Sequence, residues 1–193
     1  MMTASNLDDW LNACLIPKNP VRCVVLVGGG AVADCVRALD AHRHLDPGVA
    51  HDQAIAAMRL NAEVLVNGVD SEAMLTNSVA VAKTSERSLM WSPPSYFRPD
   101  GLPLSWSVSS DSIALWLADQ IYAHGLVLVK HLNPNLPESI TVDAASNAGV
   151  VDEYFPQMAR SVTVPVALCA QEDPKLFSLA REAGRLPGSR LWI

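Results

Sequence analysis

Residues 21–40 read VRCVVLVGGGAVADCVRALD, and this stretch decides the fold. Its first seven residues form a continuous apolar run rich in β-branched valine. A strand buried on both faces reads this way, and such strands belong to parallel sheets flanked by helices. From Ala31 the period changes: Val32, Cys35, Val36 and Leu39 recur at helical spacing and predict a helix over 31–45. Gly28, Gly29 and Gly30 stand between the two. Glycine has no Cβ and accepts positive φ, so backbone N–H groups can close on a phosphate, and the following helix adds its positive end. The competing reading is a tight strand-to-helix turn with no ligand. Three consecutive glycines cost chain entropy, which favours the ligand reading. The turn is not Gly-x-Gly-x-x-Gly, because its first glycines are contiguous and Ala33 stands at the third position. It is not a Walker A loop either, because no Gly-Lys-Ser/Thr follows.

Strand and helix patterns alternate outward from this turn. Ile55, Met58, Ala62 and Leu65 predict a helix over 51–66, and SVAVA at 78–82 predicts a strand. The proline-rich segment 92–103 reads as loop. Ser110 or Asp111 caps a predicted helix that runs to about His124 with Ile113, Leu117 and Ile121 on its buried face. GLVLVK at 125–130 reads as another buried strand, followed by a turn region with Pro134 and Pro137. Further strands are expected at 140–142, at 161–170 with an interruption at Pro165, and at the closing SRLWI; helices are expected at 146–160 and 173–184. This alternation predicts an α/β fold, with a mostly parallel sheet, right-handed crossovers and helices on both faces. In such sheets ligands sit beyond the carboxyl ends of the strands.

Bulk properties narrow the function classes. The chain has 193 residues, half of them hydrophobic and 18% charged, which suits one domain over 1–193 with a full core. A net charge of −6 argues against a nucleic-acid partner, yet leaves room for a nucleotide held by a few donors at a helix start. No apolar run approaches a membrane span, and MMTASNLDDW lacks the form of a secretory signal, so a cytoplasmic protein is expected. Cys14, Cys23, Cys35 and Cys169 show no metal spacing and read as reduced core thiols, Cys35 on the apolar face of its helix.

Three further groups carry chemistry. Ser105 to Ser112, SWSVSSDS, crowds hydroxyls and one carboxylate at a helix start. Ser109, Ser110, Asp111 and Ser112 are therefore candidate ligand-binding residues; plain capping is the alternative. Lys130, at the end of a buried strand, is the candidate catalytic residue, placed to neutralise charge on a transferring phosphoryl group. A lysine snorkelling to water is its alternative. His42, His44 and His51 lack i, i+4 spacing and read as exposed histidines, so no metal site is expected. Asp152 and Glu153 read as a solvated helix face.

Taken in order, VVLVGGGAVADCVRALD, HDQAIAAMRLNAEVL, SWSVSSDSIALWLADQI, GLVLVKH and VVDEYFPQMA resemble the amino acid kinase superfamily. The likeness is greatest to its aspartate/glutamate/uridylate kinase-like members, including the aminomethylfuran-phosphate kinase of methanofuran synthesis. Trp106 with Ser109–Ser112 is similar to that group's Trp-x-x-(Thr/Ser)-Ser-Asp-Ser signature, and Asp152 to Pro156 to its Asp-Glu-x-Phe-Pro segment. The resemblance implies a three-layer αβα sandwich and ATP- and Mg²⁺-dependent phosphorylation of a carboxylate or phosphate. It places Gly28–Gly30 on the acceptor side, with Ser110–Ser112 helping to build the site. It also implies a one-carbon cofactor context of the methanofuran or tetrahydromethanopterin type.

Two departures qualify the activity. The family opens with a strand ending in Lys-x-Gly-Gly-Ser, whereas MMTASNLDDWLNACL resembles only the helix after that strand. Where the family carries an Asp-x-x-Gly loop, this chain reads His131-Leu132-Asn133-Pro134-Asn135. The expectation is a degenerate or partner-dependent kinase subunit in a homo- or hetero-oligomer, paired with a complete paralogue in one version. Its ligand is a small phosphate-bearing metabolite or nucleotide. The alternative is an active ATP-dependent kinase for a small phosphate- or carboxylate-bearing metabolite. A dinucleotide-binding domain is a third reading; it requires an acidic residue ending a second strand, and the region after His44 offers turn and helix instead.

Overall fold

The computed structural model describes residues 4–15, 21–69, 73–131 and 137–192. In chain order the first half holds α1 (Ala4–Leu15), β1 (Val24–Leu26), α2 (Gly30–Arg43), α3 (Pro47–Asn67), β2 (Met74–Thr76), α4 (Val79–Thr84) and β3 (Leu89–Trp91). The second half holds α5 (Ser110–Gln120), β4 (Leu126–Lys130), β5 (Ser139–Thr141), α6 (Val142–Asn147), α7 (Phe155–Ala159), β6 (Val166–Ala170), α8 (Pro174–Glu182) and β7 (Ser189–Trp192).

The strands form two sheets, ordered β1-β3-β2 and β4-β6-β7-β5. Every pairing is parallel except β6 with β7. The two inner strands of apolar sequence are the most buried. All three residues of β3 are fully enclosed, as are Ala167, Leu168 and Cys169 of β6. Such strands carry continuous apolar runs because helices cover both of their faces.

One helical layer comprises α5, α6 and α7, together with part of α3. Ile113, Leu117 and Ile121 pack with Ile55 and Met58 against Leu89 and Trp91. Leu115, Phe155 and Ala159 cover Leu128 and Leu168. On the opposite face, Leu11 and Leu15 of α1 meet Ala62 and Met90, and Trp10 stacks on Phe177 of α8 with ring centroids 5.2 Å apart. The result is the expected three-layer αβα arrangement. No helix among the described residues is long and apolar enough to cross a membrane.

Four expectations need correction. Residues 79–84 of the SVAVA region are helix α4, because the Ser78 hydroxyl accepts from the Val81 amide and starts a helical turn. The segment 146–160 is not one helix. It divides into α6 and α7, with Gly149 at φ +68 between them. Strands β2 and β3 carry no periodic signal of their own, since each has only three residues. The apolar face of α2 is not buried: α2 has no buried residue, Val32 and Leu39 are exposed, and so is Cys35. Cys169 is the enclosed thiol, pushed by burial up to about 11. The segment Leu132–Asn135, with Pro134, lies outside the described residues.

Candidate functional site

The glycine turn links β1 directly to α2. Gly30, at φ +51, opens the helix in the left-handed region that glycine tolerates and other residues resist. A Cβ on Gly29 would stand 2.4 Å from the Ala33 Cβ, so that position admits no side chain without moving α2. Gly28 faces α5, and a Cβ there would come 3.0 Å from the Ser110 hydroxyl. The turn is held from beneath by Asn61 of α3, whose side-chain amide donates to the Gly28 carbonyl at 2.8 Å. Asn61 carried no motif signal. Its trace is a polar residue between Met58 and Ala62 on the inward stripe of a helix.

Across the groove, the start of α5 is organised by one carboxylate. Asp152 accepts from the Ser109 amide at 2.8 Å and hydroxyl at 2.9 Å, and from the Ser112 amide at 3.0 Å and hydroxyl at 2.6 Å. It also accepts from the Phe155 amide at 2.9 Å, which starts α7. The reading of Asp152 as a solvated face is thereby corrected. A carboxylate at a helix start satisfies donors that have no intrahelical partner and meets the positive end of the helix. Glu153 beside it is exposed. Ser112 is fully buried and its proton is directed to Asp152. Ser109 is likewise joined to Asp152, and its hydroxyl oxygen accepts from the Asp111 amide at 3.3 Å.

Ser110 and Asp111 point the other way. Both line a cavity of ≈ 870 Å³ that also receives Gly28 and Lys130. Lys130 Nζ lies 2.6 Å from both carboxylate oxygens of Asp111. The Asp111 side chain is 9% exposed and that of Lys130 is 23% exposed, so the pair is largely removed from water. Burial is the strongest influence on Asp111 and holds its carboxyl above the usual range; Lys130 opposes that shift, and the Asp152 charge adds to it. The structure thus brings Gly28, Ser110, Asp111 and Lys130 to one place, where the carboxyl ends of β1 and β4 meet the amino end of α5. Ser109 and Ser112 stand behind it as supports.

The signature tryptophan has a structural contact of its own. Trp106 Nε1 donates to Asp40 near the end of α2 at 2.5 Å, and Arg37 lies 4.8 Å over its ring. Trp106 therefore ties the loop before α5 to the helix that follows the glycine turn. His42 and His44 are exposed, and His51 bonds the Phe97 carbonyl at 2.7 Å.

No protein-family model matches the sequence, and no curated protein matches it. Solved structures do match in fold. The uridylate kinase from Archaeoglobus fulgidus superposes with a TM-score of 0.67 at 14% identity, over 98% of this chain and 94% of that one. The UMP kinase from Bacillus anthracis superposes with a TM-score of 0.68 at 12% identity, over 96% of this chain and 84% of that one. The chain shares the amino acid kinase fold of these enzymes.

Proposed function

We propose that the chain is a small-molecule kinase subunit of amino acid kinase type. It holds a phosphate-bearing metabolite or nucleotide between Gly28–Gly30 and the start of α5. The observation that carries this reading is the Lys130–Asp111 pair at 2.6 Å, set beside Gly28 at the carboxyl ends of the strands. Backbone amides at a glycine turn and at a helix start accept an anion without a basic surface. Lys130 supplies the cation that phosphoryl transfer requires as charge builds on the moving group.

The residues present fit ATP and Mg²⁺ in part. The glycine turn suits phosphate oxygens, and Asp111 is the carboxylate able to face a metal, though it is already engaged by Lys130. When bound, Mg²⁺ neutralises phosphate charge. The chain's own residues orient the phosphate and hold Lys130 in place. Because the Lys130 charge is largely spent on Asp111, the chain by itself binds more readily than it turns over. This supports a partner-dependent subunit over a self-sufficient kinase. The one-carbon cofactor context rests on the Trp106–Ser112 and Asp152–Pro156 resemblance.

A thermal-shift scan with ATP, ADP, UMP and aminomethylfuran phosphate, each with and without Mg²⁺, tests the reading. Ligand at ~100 times its Kd raises stability by ~2.7 kcal/mol. A rise with at least one of them is expected. Flat melting curves across the whole set would remove the proposal.

A further inference from the structure

Two thiols and one cation meet where α1 passes the head of β1. Cys14 lies in the last turn of α1, and Cys23 immediately precedes β1. Both pack against the cluster of Trp10, Phe177 and Cys169. Both are free and partly buried, and their side chains are hydrogen-bonded to each other.

Arg181 of α8 supplies the cation, and it is only 5% exposed. Its Nη1 donates to the Ala13 carbonyl at 2.5 Å, and its Nε donates to the Val21 carbonyl at 2.6 Å. Its Nη2 donates to the Ser88 hydroxyl at 3.1 Å, and that same oxygen accepts from the Cys23 amide at 3.0 Å. One guanidinium thus holds the chain one residue before Cys14 and two residues before Cys23. These acceptors are all neutral, and no carboxylate among the described residues pairs with Arg181. An enclosed cation without a counter-charge is unfavourable, and a thiolate at this point supplies one. The hydrogen bond between the sulfurs decides which of them carries the charge. Cys14 donates, so this bond, together with burial, holds its thiol well above the ordinary value. Cys23 accepts, so the same bond lowers its thiol, and Arg181 adds to that against the effect of burial. Cys35 is exposed on α2, and Cys169 is enclosed.

We propose that Cys14 and Cys23 form an oxidation site at which hydrogen peroxide makes a reversible disulfide, with Cys23 as the attacking sulfur and Cys14 as the resolving one. The Cys23 sulfur attacks one peroxide oxygen. The O–O bond breaks, an S–O bond forms, and the departing hydroxide leaves as water with the proton shed by the Cys23 thiol. The Cys14 sulfur then attacks the sulfenic sulfur. The S–S bond forms, the S–O bond breaks, and the second hydroxide takes the Cys14 proton. Two thiols lose two electrons and two protons, and one hydrogen peroxide becomes two waters. The bond joins α1 to the residue that leads into β1. The inference rests on the thiol pair and its cation and does not depend on the kinase reading.

The test uses Cys35→Ser, which removes an exposed thiol and leaves the core intact. The folded chain receives one equivalent of hydrogen peroxide, is denatured in iodoacetamide and is digested for mass spectrometry. A linked Cys14–Cys23 peptide is expected, with Cys169 alkylated, and dithiothreitol should return both thiols. Adding Cys14→Ser removes the resolving sulfur, so dimedone should then label Cys23. With Cys23→Ser in its place, labelling of Cys14 should be about tenfold slower. A bridge to Cys169, or both thiols still free after an excess of peroxide, would overturn the proposal. So would equal dimedone labelling in the two variants, or none in either.

Discussion

Lys130 Nζ sits 2.6 Å from both carboxylate oxygens of Asp111, and the pair closes the end of the groove where β4 meets α5. In the proposed site, the cation offered to an anionic ligand is held by an internal anion. Asp111→Asn should therefore tighten ATP binding about tenfold, by removing one repulsive charge a few ångströms from the phosphate. The same substitution should depress any partner-stimulated turnover, since Asp111 also fixes the Lys130 ammonium. Calorimetric titration alongside a steady-state assay separates the two effects. Weaker binding in the variant would count against this arrangement.

The pH dependence follows from the direction of the Asp111 shift. Burial raises its carboxyl in the folded chain, so the folded state holds a proton that the unfolded state releases. The stability contribution is complete below the unfolded carboxylate value and is lost as pH rises through the folded one. The melting temperature of wild type relative to Asp111→Asn should fall as pH rises across that window. ATP affinity of the wild type should increase as pH falls through the same window, an increment that Asp111→Asn lacks.

Asp152 is a structural centre. Asp152→Ala strands the Ser109, Ser112 and Phe155 amides and two hydroxyls that now donate to it. Loss of one helix cap costs ~1 kcal/mol, and each buried donor left unpaired costs ~1–3 kcal/mol. Counting only the lost cap and the fully buried Ser112 hydroxyl, a loss of at least ~3 kcal/mol corresponds to a melting-point drop of at least about 6–12 °C for a chain of this length. A change within about 1 °C in a calorimetric scan would deny Asp152 this role.

Gly29→Ala tests the fit of the turn. The added methyl would meet the Ala33 Cβ at 2.4 Å, a contact relieved only by moving α2. Overpacking of this kind costs ~1–3 kcal/mol. The displaced turn should also lose ATP binding, which a purely destabilised but folded variant would retain. Measuring both melting temperature and affinity on the one variant decides between these outcomes.

The sequence revealed those parts of the molecule where the local pattern and the tertiary environment agree. CVVLV (23–27) and LVLV (126–129) are continuous apolar runs because residues of both strands pack into core clusters on either side of the sheets, and Ile113 and Leu117, with Ile121 just past the end of α5, mark its inward side. SVAVA misled because alternating valines over five residues fit a strand, while the Ser78 hydroxyl decides for helix through one bond. The Ser109–Ser112 cluster was visible as polar density. Its division into Ser110 and Asp111 at the cavity and Ser109 and Ser112 behind it was not. That division depends on Asp152, forty residues from Ser112 in sequence, and nothing in the local pattern of DEYFP announces so distant a contact. The exposure of α2 was also hidden, because Val32 and Leu39 have the spacing of a buried face and find nothing among the described residues to cover them.

The central claim is that Gly28–Gly30 and Lys130 form one phosphate site. The most direct measurement is calorimetric titration of ATP with Mg²⁺ into the wild-type chain and into Lys130→Met. One saturable site is expected in the wild type, with affinity reduced at least about tenfold in the variant, as for loss of a charged contact in a site removed from water. Equal affinity in the two proteins, or no binding heat in either, would contradict the account.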